Sequence, residues 1–170
     1  MDDFESWKQE ATPHSKTIQV CFDRELVGEW EAAQEQLRDV TKGMLEAPAE
    51  LENHVEQLSK KVREKTRELT FTSIGRRAWR ELLAQHPPTK SQQITLGKGI
   101  DHNPETFPPA AIAVSSTKPK LTLEQAQWMC DELPLGVFDR IWAAVLTANM
   151  IGGDEKKAAA TVAPPATDKK

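Results

Sequence analysis

The chain has 170 residues, room for one ordinary domain or for a small domain with an appendage. Hydrophobic residues make up 38% of it, below the ~45–50% of an average globular protein, so part of the chain is expected to lie outside a packed core. A net charge of −4 argues against a general binder of nucleic acid or of anionic membranes, and no run approaches the ~20 apolar residues of a membrane span.

Residues 1–16 are polar, acidic at the start and interrupted by Pro13, and read as a flexible leader with no signal-peptide character. In KTIQVCFD, Ile18, Val20 and Phe22 alternate with Gln19 and Cys21, which predicts a strand. Asp23 then offers an N-cap, and the period changes. Leu26, Trp30, Ala33, Leu37, Val40 and Met44 recur at spacings of 4, 3, 4, 3 and 4, a heptad seam. Gly43 and Pro48 break it, and Leu51, Val55, Leu58 and Val62 resume it, in phase as far as Leu69. Two seams across a short break predict an antiparallel hairpin; a parallel coiled coil between two chains is the competing reading, and short connections favour the hairpin. Folding at the break sets Met44 against Leu51, Val40 against Val55, Leu37 against Leu58, Ala33 against Val62 and Leu26 against Leu69. Glu25, Glu29 and Glu31 then stand opposite Lys61, Arg63, Lys65 and Arg67. ELTFTSI alternates once more, so the legs of the hairpin bring two strands together as a ribbon within residues 17–74.

Residues 75–150 read as a compact helical unit. Ala78, Trp79, Leu82, Leu83 and His86 form one helical face, stopped by Pro87-Pro88. Thr89 to Asp101, with Gly97 and Gly99, reads as a mobile loop. Asn103-Pro104 signals a cap before a short buried helix containing Phe107, Ala111, Ile112 and Val114. Thr122 and Gln125 fit a capping box ahead of Leu123, Ala126, Trp128, Met129 and Cys130. Phe138, Ile141, Trp142, Val145, Leu146 and Asn149 form the apolar stripe of a last helix, closed by Gly152-Gly153. Residues 151–170, rich in Ala, Pro, Thr and Lys, read as a disordered tail. The expected fold class is mainly α: an antiparallel helical hairpin flanked by two short paired β-strands, followed by a small multi-helix unit.

Residues that carry chemistry are sparse. The four histidines, at 14, 54, 86 and 102, share no metal-ligand spacing and read as solvated or capping groups. LGKGID owns two glycines and a lysine but lacks the Ser/Thr and preceding strand of a phosphate loop. Asp131, Glu132 and Asp139 read as caps and solvated positions. Cys21 and Cys130 cannot build a disulfide framework and read as reduced, inert thiols. Arg76, Arg77 and Arg80 are the candidate for nucleic-acid contact, against a reading in which they cover the ribbon and pair with the acidic hairpin. No enzyme, metal site or cofactor is expected.

The blocks TFTSIGRRAWRELLAQHPP, NPETFPPAAIAVSS and LPLGVFDRIWAAVLTAN, in that order, resemble the tail assembly chaperones of long-tailed (siphovirus-type) bacteriophages of actinobacteria. The likeness runs from about residue 17 to residue 149. It implies a non-enzymatic protein of the host cytoplasm that binds the tape-measure protein, keeps that apolar, helix-rich client soluble while the tail tube assembles around it, and is absent from the finished particle. Trp79, Trp128 and Trp142 are the candidate client-binding residues, with core filling as their other reading. The hairpin is open to self-association as well. The resemblance also implies a longer product made by a −1 ribosomal frameshift near the end of the reading frame, where Lys156-Lys157 or Lys169-Lys170 would carry the slippery codons. The alternative functions are a structural virion component of head–tail connector or tail-terminator type and, behind it, a DNA-binding regulator. The expected partners include no nucleic acid and no membrane.

Overall fold

The computed structural model describes residues 3–43 and 47–150; Met44, the Gly152-Gly153 stop and the tail of residues 151–170 lie outside them. The described chain is mainly helical, with a small antiparallel sheet of three strands. Thr17–Thr70 forms one compact unit, and the described residues before and after it form another.

Period-two alternation produces the strands β1 (Ser15–Cys21) and β2 (Thr66–Thr72), which pair side by side. Their polar face is a row of side-chain bonds: the hydroxyls of Thr17 and Thr70 lie 2.9 Å apart, and Gln19 Nε2 donates to Glu68 Oε1 at 3.3 Å. Val20 and Leu69 take the opposite parity and are buried. Between the strands run α2 (Arg24–Thr41) and α3 (Ala49–Lys65), which pack on each other as the predicted hairpin. Asp23 caps α2 through Leu26 N–H at 3.0 Å, and its other carboxylate oxygen accepts from Lys65 Nζ. Leu26, Ala33 and Leu58 are the buried heart of the seam, with Trp30, Val55 and Val62 packed against them. Leu37, Val40 and Leu51 remain half-buried.

The register differs from the one drawn on the seam alone. α3 ends at Lys65 and Leu69 belongs to β2, so Leu26 does not meet Leu69 across a helical seam. Instead the Asp23–Lys65 pair stands at the base, and the buried cluster fills the part of the hairpin next to the strands. The reason is periodicity: a heptad seam matches itself again after sliding by one repeat, so it cannot choose its own register. A strand ladder can, because a one-residue slip turns every side chain to the wrong face.

In the second unit the segment read as a flexible leader carries α1 (Asp3–Glu10), a helix with no buried residue. Local contacts hold it: Phe4 and Trp7 meet edge to face at 6.2 Å, Lys8 Nζ lies 4.9 Å from the Phe4 ring, and Glu5 pairs with Lys8. Gly75, at φ +84°, turns the chain from β2 into α4 (Arg76–Gln85). The expected mobile loop from Thr89 to Asp101 contains another helix, α5 (Lys90–Leu96). Its capping box has Gln92 N–H on Thr89 Oγ1 at 3.2 Å and Thr89 N–H on Gln92 Oε1 at 2.9 Å. Nothing on α5 is buried and Ile94 is 84% exposed, so no apolar periodicity announces this helix; only its cap does.

At the centre lies α6 (Phe107–Ser115), begun by Asn103 Oδ1 accepting from the amides of Glu105 and Thr106. Its side chains are apolar as far as the terminal Ser115, and all are buried except Val114. It packs against α4, α7 (Leu123–Glu132) and α8 (Leu135–Met150). The stripe expected on α8 is rotated: Ile141 and Val145 are buried, but Val137, Ala144 and Ala148 complete the buried face, and Phe138, Trp142 and Leu146 lie half-buried at its edge. Alanines let α8 approach α6 closely, which a count of large apolar residues does not reveal. The sheet also gains an unexpected third strand, β3 (Ser116–Lys118), whose Thr117 hydroxyl lies 3.1 Å from that of Thr72. Three residues are too few to display alternation.

Two groups generate predictions here. Asn149 Nδ2 donates to Ser115 Oγ and to Val145 O, both at 2.9 Å, while its Oδ1 accepts from Ile74 N–H at 3.0 Å. Asn149→Leu orphans the Ile74 amide and should cost about 1–3 kcal/mol, read as a lower denaturation midpoint at unchanged slope. The hydrogen bond from Lys65, followed by that from Leu26 N–H, holds the Asp23 carboxyl below its ordinary range; the same contact raises Lys65. A depressed acid stabilises fully above its unfolded value of about 4 and loses that contribution as pH falls through the lower folded value. Acid unfolding of Asp23→Asn should therefore lack this part of the pH dependence, while near neutral pH the variant melts below the parent.

Candidate binding surfaces

Trp79, His86, His102 and Trp142 converge on Phe107, the first residue of α6. Trp79 meets it edge-on at 5.3 Å, Trp142 at 5.9 Å, and the ring of His102 lies 4.6 Å away. Trp79 is buried and Trp142 half-buried, so both have their faces engaged in this cluster. Trp128 differs. It lies on α7 with 51% of its surface exposed, while Ala126 and Met129 bury the other side of that helix. The three tryptophans therefore do not form one surface: two belong to the core around Phe107 and one faces outward.

Leu123 at the start of α7 is exposed, and so is Leu135 at the start of α8. The buried stripe of α7 runs through Ala126 and Met129 instead. Exposed Leu123, Leu135, Ile94 and Leu96 were not singled out as binding candidates, because exposure of an apolar side chain depends on which neighbouring helix covers it.

The polar groups are mostly committed to each other. His86 Nδ1 lies 3.0 Å from Thr106 Oγ1, His102 Nδ1 lies 2.6 Å from Asp101 Oδ1, and His54 is exposed. Gln127 Nε2 donates to both carboxylate oxygens of Asp131, at 3.0 and 3.1 Å. Among the described residues no group of three His, Cys, Asp or Glu side chains is placed to hold a metal ion. Cys21 is buried; the Cys130 thiol is pushed up to about 11, first by burial and then by the charge of Asp131. Gly97, at φ +100°, ends α5, so LGKGID is a helix stop.

Arg76, Arg77 and Arg80 lie exposed on the first turns of α4 and line an open groove with Glu81 and Ala84. Their guanidinium groups make no ion pair or hydrogen bond among the described residues.

Comparison of the chain with protein-family models, with curated proteins and with solved structures finds no match. No helix among the described residues is long and apolar enough to cross a membrane.

The state of Cys130 is directly measurable. Relative to an ordinary thiol its thiolate fraction at neutral pH is lower by roughly a hundredfold, and alkylation by iodoacetamide should be slower by a comparable factor. Rapid modification of Cys130 in the folded protein would show the burial to be wrong.

Proposed function

We propose that this protein is a phage tail assembly chaperone that works in the host cytoplasm, binds the tape-measure protein and keeps it soluble while tail-tube subunits polymerise. It binds and does not catalyse. The observation that carries the reading is the set of large apolar side chains left outside a core that is already complete. Leu123 and Trp128 on α7 and Leu135 on α8 are each more than half exposed, beside an α6 that is buried except at Val114. Exposed apolar side chains of this size suit the apolar face of a helical client. The family resemblance of the 70–88, 103–116 and 133–149 blocks names the client.

A second reading, a DNA-binding regulator, draws on one specific observation, the three exposed arginines of α4 with no side-chain partner among the described residues. It predicts DNA retention that falls steeply with salt. The net charge of −4 weighs against it.

Co-expression with the phage's tape-measure protein tests the first reading. The client should move into the soluble fraction and co-purify with this chain. The double variant Trp128→Ser, Leu135→Ser should reduce co-purification by about fivefold or more with little change in thermal midpoint, since exposed sites contribute little to stability. A client equally insoluble with and without the chain overturns the reading. Abundant copies in purified particles, measured by mass spectrometry, would point to a structural virion component instead.

A further inference from the structure

The hairpin carries a second surface that none of the functions above uses. On α2 the residues Glu31, Gln34, Arg38 and Thr41 follow one another at helical spacing along one stripe, as do Glu52, Glu56, Ser59 and Arg63 on α3. Both stripes lie on the same face of the hairpin, because Gln34, Arg38 and Thr41 line one open groove together with Glu52. The floor of that groove is apolar: Leu37 and Val55 line it and are only half-buried. A pair of helices cannot enclose its own seam, and here only Leu26, Ala33 and Leu58 are fully covered.

The charges on this face have a two-fold pattern. On α2 an acid, Glu31, and a base, Arg38, stand either side of the uncharged Gln34. On α3 Glu52 and Arg63 stand either side of the stretch from Gln57 to Ser59. Each helix is thus complementary to an antiparallel copy of itself. The two midpoints, close to Gln34 and close to Leu58, fall at one level of the hairpin, since Ala33 and Leu58 share the buried cluster. A single two-fold axis therefore satisfies both helices at once. Moreover, the side chains of Glu31, Arg38, Glu52 and Arg63 are exposed and make no ion pair or hydrogen bond among the described residues.

We infer that this face binds a second copy of the chain. The two hairpins lie antiparallel, tip against base, as a four-helix bundle, with Glu31 against the partner's Arg38, Glu52 against the partner's Arg63, and the groove of Leu37 and Val55 closed at the centre. The arrangement is isologous, so it closes at two copies. Apolar contact supplies the affinity, and the charges select the antiparallel orientation over the parallel one, in which like charges would meet. The inference stands apart from the client reading, which concerns α7 and α8, and either can fail without the other.

Sedimentation of the full chain at about 100 µM should give a dimer. Charge reversal then identifies the face. The variants Glu31→Lys, Glu52→Lys and Arg38→Glu, Arg63→Glu should each dimerise at least roughly tenfold more weakly, because every cross-pair becomes a like-charge pair. Mixed one to one, the two variants should recover the dimer, since each mixed pair is again acid against base. Far-ultraviolet circular dichroism of both variants checks that the helices persist. An independent readout comes from Glu52→Cys, Arg63→Cys, which should form a disulfide-linked dimer under mild oxidation. A monomer at that concentration, a dimer indifferent to both reversals, or variants that fail to pair on mixing would each overturn the inference.

Discussion

The pairing of β1 with β2 is the constraint on which the hairpin depends. Their partners are separated by about fifty residues of chain, and what lies between is a pair of helices whose seam repeats every seven residues. Such a seam has several nearly equivalent alignments. The ladder has one, because side chains alternate between a polar face of Thr17, Gln19, Glu68 and Thr70 and a buried face holding Val20 and Leu69. Asp23 and Lys65 then close the base of the hairpin, where the strands hand over to the helices. The exposed ion pair adds little energy of its own; its value is in reinforcing an alignment the strands have already chosen.

A different device organises the second unit. α6 has no polar stripe, so water can be excluded from it only by neighbours on every side, and α4, α7 and α8 supply them. Two polar anchors set its ends. Asn103 caps the start, and Asn149 reaches Ser115 at the finish while also receiving the amide of Ile74. The helices around it turn small residues such as Ala126, Ala144 and Ala148 inward together with Met129, Ile141 and Val145, while Leu123, Trp128 and Leu135 stay exposed. Core and exposed apolar surface thus follow from the same packing arrangement.

That arrangement explains why the tryptophans were ambiguous in the sequence. Trp79, Trp128 and Trp142 all occur on helices with further apolar residues one turn away or nearer. Only the position of Phe107 makes the first and third into core and leaves the second exposed. The polar residues show the converse. His102, Asp101 and Asp131 find a neighbour of matching chemistry nearby in the chain, and His86 finds Thr106 twenty residues on. Arg76, Arg77 and Arg80 find none among the described residues, and a surface with unpaired charge or uncovered apolar area belongs to recognition more than to stability.

Local periodicity determined the strands at Ser15–Cys21 and Thr66–Thr72, the helical hairpin, the capping box at Thr122 and the buried helix at Phe107, because each is written in contiguous side chains. The short elements were not legible in this way. α1 and α5 bury nothing, and β3 has three residues, so none leaves a periodic trace, although the Thr89–Gln92 cap was there to be read. Register, rotation and exposure belonged to the tertiary structure alone. A seven-residue repeat cannot distinguish one slip from the next, and an apolar side chain on α7 or α8 does not specify whether another helix lies over it. The low apolar fraction of the sequence set how little core the chain can make, and the fold decided which of its apolar groups that core would use.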